Sequence, residues 1–214
     1  MCGRYQRLSD KQRIAEAFSV KVGLEEIYFK PEANISPGSM QPVIFLDEKG
    51  DRRIEMMRWG FQLPDRLQFL ARSETVDRAE FWKESFRKRR CILPADGFFE
   101  GKKVKAGKKP KYEFTVPERE LFGMAGLWAP WKNPRTGEWE PTFAVITCEA
   151  NEVMRLIHDR QPVILQPEDY EEYLADQAPP PVHLLRIFPG NKMKSRLIDP
   201  DRNSDQGPNL FDTL

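Results

Sequence analysis

The spacing of apolar residues along the chain predicts four short helices. The first covers residues 10–19 and follows a capping sequence, a second begins at Asp77, a third covers residues 149–157, and a fourth begins at Pro167. In the second helix, aromatic residues share the inner face and basic residues face solvent. The inward residues are Phe81, Trp82 and Phe86, and the solvent-facing residues are Lys83, Arg87, Lys88, Arg89 and Arg90.

Short apolar or alternating runs between these helices predict strands. They are residues 43–46, 54–59, 91–93, 112–116, 121–127 and 143–148. The lysine-rich stretch 102–111 suits a hairpin loop between two of them. No glycine-rich nucleotide-binding motif and no regular alternation of strand and helix is present. The pattern therefore predicts one α+β domain over residues 1–214, a curved, barrel-like, mostly antiparallel sheet with a few peripheral helices.

Composition narrows the class of protein. With 40% apolar and 31% charged residues among 214, the chain has the composition of a soluble globular domain. It has no apolar run of membrane-spanning length and no secretory signal, and its three cysteines do not suggest a disulfide framework. We expect a cytoplasmic monomer without a cofactor. Because the chain has 34 basic and 33 acidic residues, its net charge is close to zero, and any nucleic acid must be held by a local basic patch.

The second residue, Cys2, is the first candidate for chemistry. Removal of Met1 would give this one residue a free α-amine and a thiol, with pKa values of about 7.7 and 8.5. An aldehyde would form an imine with the amine, and the thiolate would then close a five-membered thiazolidine ring. The alternative is an ordinary frayed terminus.

Two further side chains are candidates for proton transfer. His158 is one of only two histidines, which excludes a multi-histidine metal site, and it follows the third predicted helix beside Asp159 and Arg160. Glu100 follows a strand, a Pro/Gly turn and two aromatic residues, whose packing would desolvate the carboxyl group and raise its pKa. A helix-capping histidine and a surface glutamate are the alternatives.

A third cluster joins Trp59 and Phe61 to Arg58 and Arg72. In proteins that bind single strands, exposed aromatic rings stack on unpaired bases and neighbouring arginines bind phosphates. Buried aromatic residues are the alternative.

Seven short motifs, in this order, resemble the SOS-response-associated peptidase family, also called abasic-site processing proteins. The resemblance covers residues 1–165. The motifs are Met1-Cys2-Gly3-Arg4, Asn34-Ile35-Ser36-Pro37, Arg58-Trp59-Gly60, Ala71-Arg72-Ser73-Glu74-Thr75, Pro94-Ala95-Asp96-Gly97-Phe98-Phe99-Glu100, Ala125-Gly126-Leu127-Trp128 and His158-Asp159-Arg160-Gln161-Pro162.

The resemblance implies a β-rich single domain with a basic cleft for single-stranded DNA, acting in the DNA damage response. Cys2 would crosslink to an abasic site through a thiazolidine, with Glu100 and His158 as the acid/base pair. Removal of Met1 would be the peptidase step, and an imine left open would give lyase activity. The residues expected to bind DNA are Arg4, Asn34, Trp59, Arg72, Thr147 and Arg160.

Two positions depart from the family pattern. Relatives usually carry Asn where this chain has Leu70, and Trp where it has Gly101. A hydrogen bond to the lesion sugar and a base-stacking surface are therefore missing. Two other functions stay open at this point: an amino-terminal cysteine amidohydrolase, and a non-catalytic module that binds single-stranded DNA.

Overall fold

The structure, a computed structural model, describes residues 3–102, 104 and 109–198 and consists mainly of strands. The strands of this part are β1 (Arg4–Arg7), β2 (Glu32–Ile35), β3 (Met40–Leu46), β4 (Arg52–Trp59), β5 (Phe61–Gln62), β6 (Leu67–Gln68), β7 (Leu70–Arg72), β8 (Arg90–Ala95), β9 (Gly97–Gly101), β10 (Lys111–Thr115), β11 (Phe122–Lys132), β12 (Trp139–Glu149), β13 (Arg160–Pro162), β14 (Ile164–Leu165) and β15 (Lys194–Ile198). The helices are α1 (Lys11–Phe18), α2 (Lys83–Lys88), α3 (Glu152–Arg155) and α4 (Tyr170–Leu174), with 3-10 turns at Pro167–Asp169, Val182–Leu184 and Gly190–Lys192.

Five strands close into a barrel. Their order is β12-β4-β3-β8-β11, and β11 pairs again with β12 to complete the ring. The β4–β12 pair is parallel, whereas the other four pairs are antiparallel. Strand β7 adds to β12 in parallel, and β13 pairs with the same strand. The predicted barrel-like, mostly antiparallel sheet is confirmed.

A second sheet brings both ends of the described chain together. Its order is β15-β10-β9-β1-β2, with every pair antiparallel. Lys111 of β10 lies opposite Gly101 of β9, so residues 102–110 connect a hairpin, as predicted. Positions 103 and 105–108 of that connection lie outside the described residues.

Successive apolar side chains along the barrel strands point to opposite sides of the barrel wall, so both sides are apolar. On β3, Ile44 packs into a cluster with Ile14 and Phe18 of α1, whereas Val43 and Phe45 pack into a cluster with residues of the second sheet. Neighbouring side chains on a strand point to opposite faces, so both faces of the barrel wall are covered. The second sheet, with β1, is therefore held against the barrel by apolar packing.

The helices differ in part from the prediction. Asp10 caps α1 by accepting a hydrogen bond from the Arg13 N–H at 2.8 Å, as a capping sequence should. The second helix is only Lys83–Lys88, because residues 73–82 form consecutive turns. The third is a single turn, Glu152–Arg155. At Pro167 a 3-10 turn opens the fourth helix, as predicted.

Arg90 was predicted to face solvent, and that prediction is wrong. The side chain is buried at 3% exposure. Its guanidinium donates to the carbonyl oxygens of Phe86, Arg87, Tyr173 and Ala175, at the carboxyl ends of α2 and α4. Burial lowers the pKa of this guanidinium. A buried arginine thus supplies the donors that helix ends require.

Candidate functional site

The amino-terminal strand runs beside the strand that carries Glu100. Arg4 lies opposite Phe99 and Tyr5 opposite Phe98 in the β1–β9 pair. Glu100 is buried at 9% exposure, and one of its carboxylate oxygens accepts a hydrogen bond from the Gly101 N–H at 3.2 Å. Met1 and Cys2 lie outside the described residues. The buried carboxylate expected at position 100 is therefore next to the strand that leads to the chain's beginning.

Basic groups surround this edge of the second sheet. The Arg4 guanidinium donates to the Asn34 side-chain oxygen at 3.1 Å, which joins β1 to β2. The Lys111 ammonium lies 4.5 Å from the centre of the Phe99 ring. Burial, with a smaller contribution from the charge of Arg4, lowers the pKa of Lys111. Lys111 was not among the predicted site residues, because nothing distinguishes it within the lysine-rich stretch.

A second group of predicted residues meets where β7 lies beside β12. Arg72 is opposite Thr147 in this parallel pair. The Thr147 hydroxyl donates to the Ala71 carbonyl at 3.2 Å, and the Thr147 carbonyl accepts from the Ser73 N–H at 2.9 Å. Thr147 is 3% exposed, so it holds the segment with Arg72 in place.

Arg160 reaches the same point from β13. Its guanidinium donates to the Thr147 carbonyl at 2.6 Å and binds both carboxylate oxygens of Glu74, one of them at 2.9 Å. The hydrogen bond from Arg160 is the main reason that the pKa of Glu74 is lowered. The charge of Arg160 is thus already partly balanced. Glu74 belongs to the motif Ala71-Arg72-Ser73-Glu74-Thr75, and no local pattern there predicts its pairing with Arg160.

His158 is fixed by its neighbours in the chain. Its Nδ1 accepts a hydrogen bond from the Arg160 N–H at 3.0 Å, and its own backbone N–H donates to the Met154 carbonyl at 2.9 Å. In a neutral imidazole, an accepting Nδ1 leaves the proton on Nε2. The Asp159 carboxylate is 2.9 Å from the same Nδ1, a contact that becomes an ion pair only when the ring is protonated. Nε2 is thus a donor in the neutral ring whose Nδ1 accepts from Arg160, and also in the protonated ring.

An open cleft of about 390 Å³ contains three of the predicted residues. We call it the arginine pocket. It is lined by Gln68, Leu70, Arg72, Thr75, Ala79, Phe81, Trp82, Thr147 and Arg160. Arg72 is exposed, so a guanidinium faces solvent in a depression that is otherwise partly apolar.

The prediction that Trp59 lines the cleft is wrong in one respect: its ring is not available to a base. Trp59 is 1% exposed, its ring is stacked 6.2 Å from Phe143, and its indole N–H donates to the Phe69 carbonyl at 3.1 Å. It also packs edge-on against Tyr5 at 5.3 Å and Phe69 at 5.9 Å. Trp59 therefore connects β1 with the residue before β7.

The described residues contain no group of three or more histidine, cysteine or acidic side chains placed to hold a metal ion. Within the same part of the chain, no helix has the length and apolar character needed to cross a membrane.

Comparison with known proteins gives the same family as the motifs. The model of the family "SOS response associated peptidase (SRAP)" matches residues 1–204. Among similar proteins, "Abasic site processing protein YoqW" of Bacillus subtilis is 31% identical, over 88% of this chain and 86% of that protein. "Abasic site processing protein HMCES" of Xenopus tropicalis is 31% identical, over 66% of this chain and 52% of its own length.

Solved structures share the fold. A crystal structure of a protein from Bacteroides thetaiotaomicron superposes with a TM-score of 0.81 at 24% identity, covering 94% of this chain and 93% of that one. A phage-related protein from Bordetella bronchiseptica gives a TM-score of 0.73 at 24% identity, with coverage of 92% and 94%. On the family match and these relatives, the chain belongs to the SOS response associated peptidase family.

Proposed function

We propose that this protein recognises abasic sites in single-stranded DNA and captures them covalently through Cys2 after Met1 is removed. The family and the names of its relatives support abasic-site processing. The observation that best supports the chemistry is the pairing of β1 with β9, because it sets buried Glu100 beside the strand that follows Cys2.

The reaction begins at the aldehyde of the ring-opened abasic sugar. The Cys2 amine adds to the aldehyde carbon, and loss of water gives an imine. The Cys2 thiolate then adds to the same carbon, and the imine nitrogen takes up a proton, which closes the thiazolidine. The sum is one aldehyde, one amine and one thiol converted to one ring and one water. Closure removes the imine that would otherwise promote strand cleavage by β-elimination.

Glu100 and His158 are proposed to move the protons of this sequence. A buried carboxylate beside β1 can take a proton from the attacking amine and return it when water leaves. His158 can donate from Nε2 to the sugar ring oxygen as the ring opens. The same two groups, acting in reverse, would release the crosslink.

The DNA strand is proposed to follow the basic groups of both sheets. Arg4, with Asn34, would hold phosphates near Cys2, and Arg72 would hold them at the arginine pocket. Arg160 shares its guanidinium between Glu74 and Thr147, so a phosphate there must compete with the carboxylate. Thr147 would act by holding the backbone of Ala71 and Ser73 in place, through its buried hydroxyl and its carbonyl oxygen.

The test uses a single-stranded oligonucleotide with one uracil, converted to an abasic site by uracil glycosylase. The wild-type protein is expected to give a heat-resistant adduct on a denaturing gel, and intact mass should show Met1 absent. Cys2→Ala removes the thiol and should give no thiazolidine. Both Cys2→Ala and Cys2→Ser keep an α-amine once Met1 is removed, so the imine of either variant should be trapped only with borohydride and should cleave the strand when left untreated.

Variants of the acid/base pair complete the experiment. Glu100→Gln and His158→Gln should slow adduct formation at least about tenfold while leaving the affinity for intact single strands within about a factor of two. Absence of any adduct from wild-type protein that has lost Met1 would overturn the proposal. DNA binding without an adduct would then favour a non-catalytic module, and glutamine hydrolysis would favour an amidohydrolase.

A further inference from the structure

Phe81 is an exposed aromatic residue in a place where the sequence predicts a buried one. The turns at residues 73–82 replace the first part of the predicted helix, and Phe81 is left 40% exposed. Its neighbour Trp82 is buried at 6% exposure. Because Phe81 also lines the arginine pocket, its half-exposed phenyl ring offers an apolar surface inside a cleft.

Three other aromatic side chains hold the Phe81 ring. Trp82, Phe61 and Trp131 meet it at ring-centroid distances of 4.5, 5.7 and 5.6 Å, with steep interplanar angles. The turn itself is fixed because the Trp82 and Lys83 N–H groups both donate to the Ala79 carbonyl, at 2.9 and 2.8 Å. The ring is therefore pre-organised, which lowers the entropy that binding would cost.

The arginine pocket combines this ring with a cation. Phe81 and Arg72 line the same cleft of about 390 Å³, and Arg72 is exposed. Arg160, the second arginine of the pocket, is engaged by Glu74, so Arg72 is the guanidinium better placed to hold an added phosphate. A cation and an apolar ring in one cleft suit a nucleotide unit, which carries both a phosphate and a base.

We propose that Phe81 is a stacking platform for an unpaired base of the strand whose phosphate is bound at Arg72. The inference rests on the proposed function, and it adds a base-contacting site to it. It also supplies a source of stacking for a chain that has glycine at position 101. The site takes any base, because every base has a π face, and it has no preference for the lesion itself.

The experiment measures binding without covalent capture, in the Cys2→Ala background. One ligand is a twelve-nucleotide deoxyadenosine strand, and the other is a backbone of equal length with a tetrahydrofuran sugar and no base at every position. Phe81→Leu is expected to weaken binding of the adenosine strand about five- to tenfold and to leave the baseless backbone unchanged. Phe81→Trp should retain or improve binding of the adenosine strand.

Two controls keep the result specific. Trp139→Leu removes a ring that is 68% exposed but lies outside the arginine pocket, and it should change neither affinity. Fluorescence of 2-aminopurine placed in the strand should be quenched on binding to the protein with Phe81 and much less with Phe81→Leu. Thermal unfolding of each variant checks that the fold is retained.

Equal loss of affinity for both ligands, or unchanged 2-aminopurine quenching in Phe81→Leu, would overturn the platform. This failure differs from failure of the proposed function. If Phe81→Leu keeps the full base-dependent binding while the protein that keeps Cys2 crosslinks normally, only the platform is rejected. Base-dependent binding through Phe81 without any crosslink rejects only the covalent chemistry.

Discussion

At the scale of single residues, Glu74 would compete with a DNA phosphate for the guanidinium of Arg160. The two side chains form a two-pronged ion pair, and Arg160 also donates to the Thr147 carbonyl. Because planar guanidinium and carboxylate groups match each other closely, this pair orients β13 against β12 and the segment after β7. The interaction contributes to stability as well as to the charge of the arginine pocket.

Replacing Glu74 with glutamine should destabilise the protein in a pH-dependent way. Arg160 lowers the pKa of Glu74, so the stabilisation is present above the unfolded-state pKa of about 4.3 and is lost as pH falls through the folded-state pKa. Since Glu74 is 41% exposed, we expect no more than about 1 kcal/mol, or roughly 2–4 °C in Tm, at pH 7.

Thermal unfolding of Glu74→Gln and wild type from pH 3 to pH 8 measures this effect. The two Tm values should converge at the acidic end, where protonated glutamate resembles glutamine. Glu120→Gln is the matched control, because Glu120 pairs with Arg13 at 76% exposure and should change Tm little at any pH. A difference that persists undiminished at pH 3 would contradict the ion-pair explanation.

Substitution of Gly101 should change the affinity for single-stranded DNA. A Cβ atom there would be 3.8 Å from the Lys109 Cβ and 3.9 Å from the Pro110 carbonyl oxygen, which is ordinary contact. Gly101→Trp should therefore fold and tighten binding of single-stranded DNA about five- to tenfold by stacking. Gly101→Ala adds the Cβ without a ring and should leave affinity unchanged; fluorescence anisotropy compares them, and equal affinities would exclude a stacking role.

At the scale of elements, Asp96 fastens the start of the chain to the β8–β9 turn. Its carboxylate accepts hydrogen bonds from the Leu8 N–H at 2.7 Å, the Ser9 N–H at 3.0 Å and the Ser9 hydroxyl at 2.6 Å. Asp96 therefore does more than connect β8 to β9. These bonds hold the end of β1 next to β9, and hence the amino-terminal strand next to Glu100.

Asp96→Ala should leave three donors without this acceptor and cost about 2–3 kcal/mol, or roughly 5–10 °C in Tm. Because β1 is then less firmly held, crosslinking to an abasic site should also slow. Asp65→Ala is the control, since Asp65 is exposed and pairs with the adjacent Arg66. Calorimetry and the gel assay measure both effects; an unchanged Tm would show that the three bonds contribute little.

The second helix is shorter than the sequence pattern predicts. Aromatic spacing at Phe81, Trp82 and Phe86 fits a helical face, yet only Lys83–Lys88 is helical. Trp82 fills the core and Phe81 stays at the surface because the preceding turns, not a helix, set their directions. The single turn of α3 ends before the predicted Ile157, and beyond it the His158 Nδ1 and the Asp159 carbonyl accept hydrogen bonds from the Arg160 and Ala150 N–H groups.

At the scale of the whole molecule, the net charge does not predict how strongly DNA binding depends on salt. The total is +1, but Arg4, Arg72 and Arg160 belong to two local groups on the proposed DNA path. If these three contact phosphates, log K for single strands should fall with log[salt] at a slope of about −2. Arg72→Gln removes one of the three contacts and should reduce the slope to about −1.4.

Anisotropy titrations between 50 and 300 mM salt measure both slopes. Arg66→Gln serves as the control, because Arg66 is exposed and paired with Asp65, outside the arginine pocket. A slope that is the same in wild type and Arg72→Gln would remove Arg72 from the phosphate contacts.

The sequence by itself determined the class of fold and the chemical groups available. Alternating apolar residues in the barrel strands specify a sheet with two covered faces, and Asp10 specifies the start of α1. These are local signals, since side-chain direction on a strand and helix capping depend on neighbours in the chain. Cys2, Glu100 and His158 were likewise identifiable as reactive residue types.

The tertiary structure alone decided which of these groups meet and which are buried. Trp59 and Phe81 each follow a charged residue in the sequence, yet one is in the core and the other is in the arginine pocket. Strands β1, β9 and β15 are recognised only by their partners, and the Glu74–Arg160 pair joins residues 86 positions apart. Burial and pairing over such distances depend on how the elements pack, and no local pattern encodes that packing.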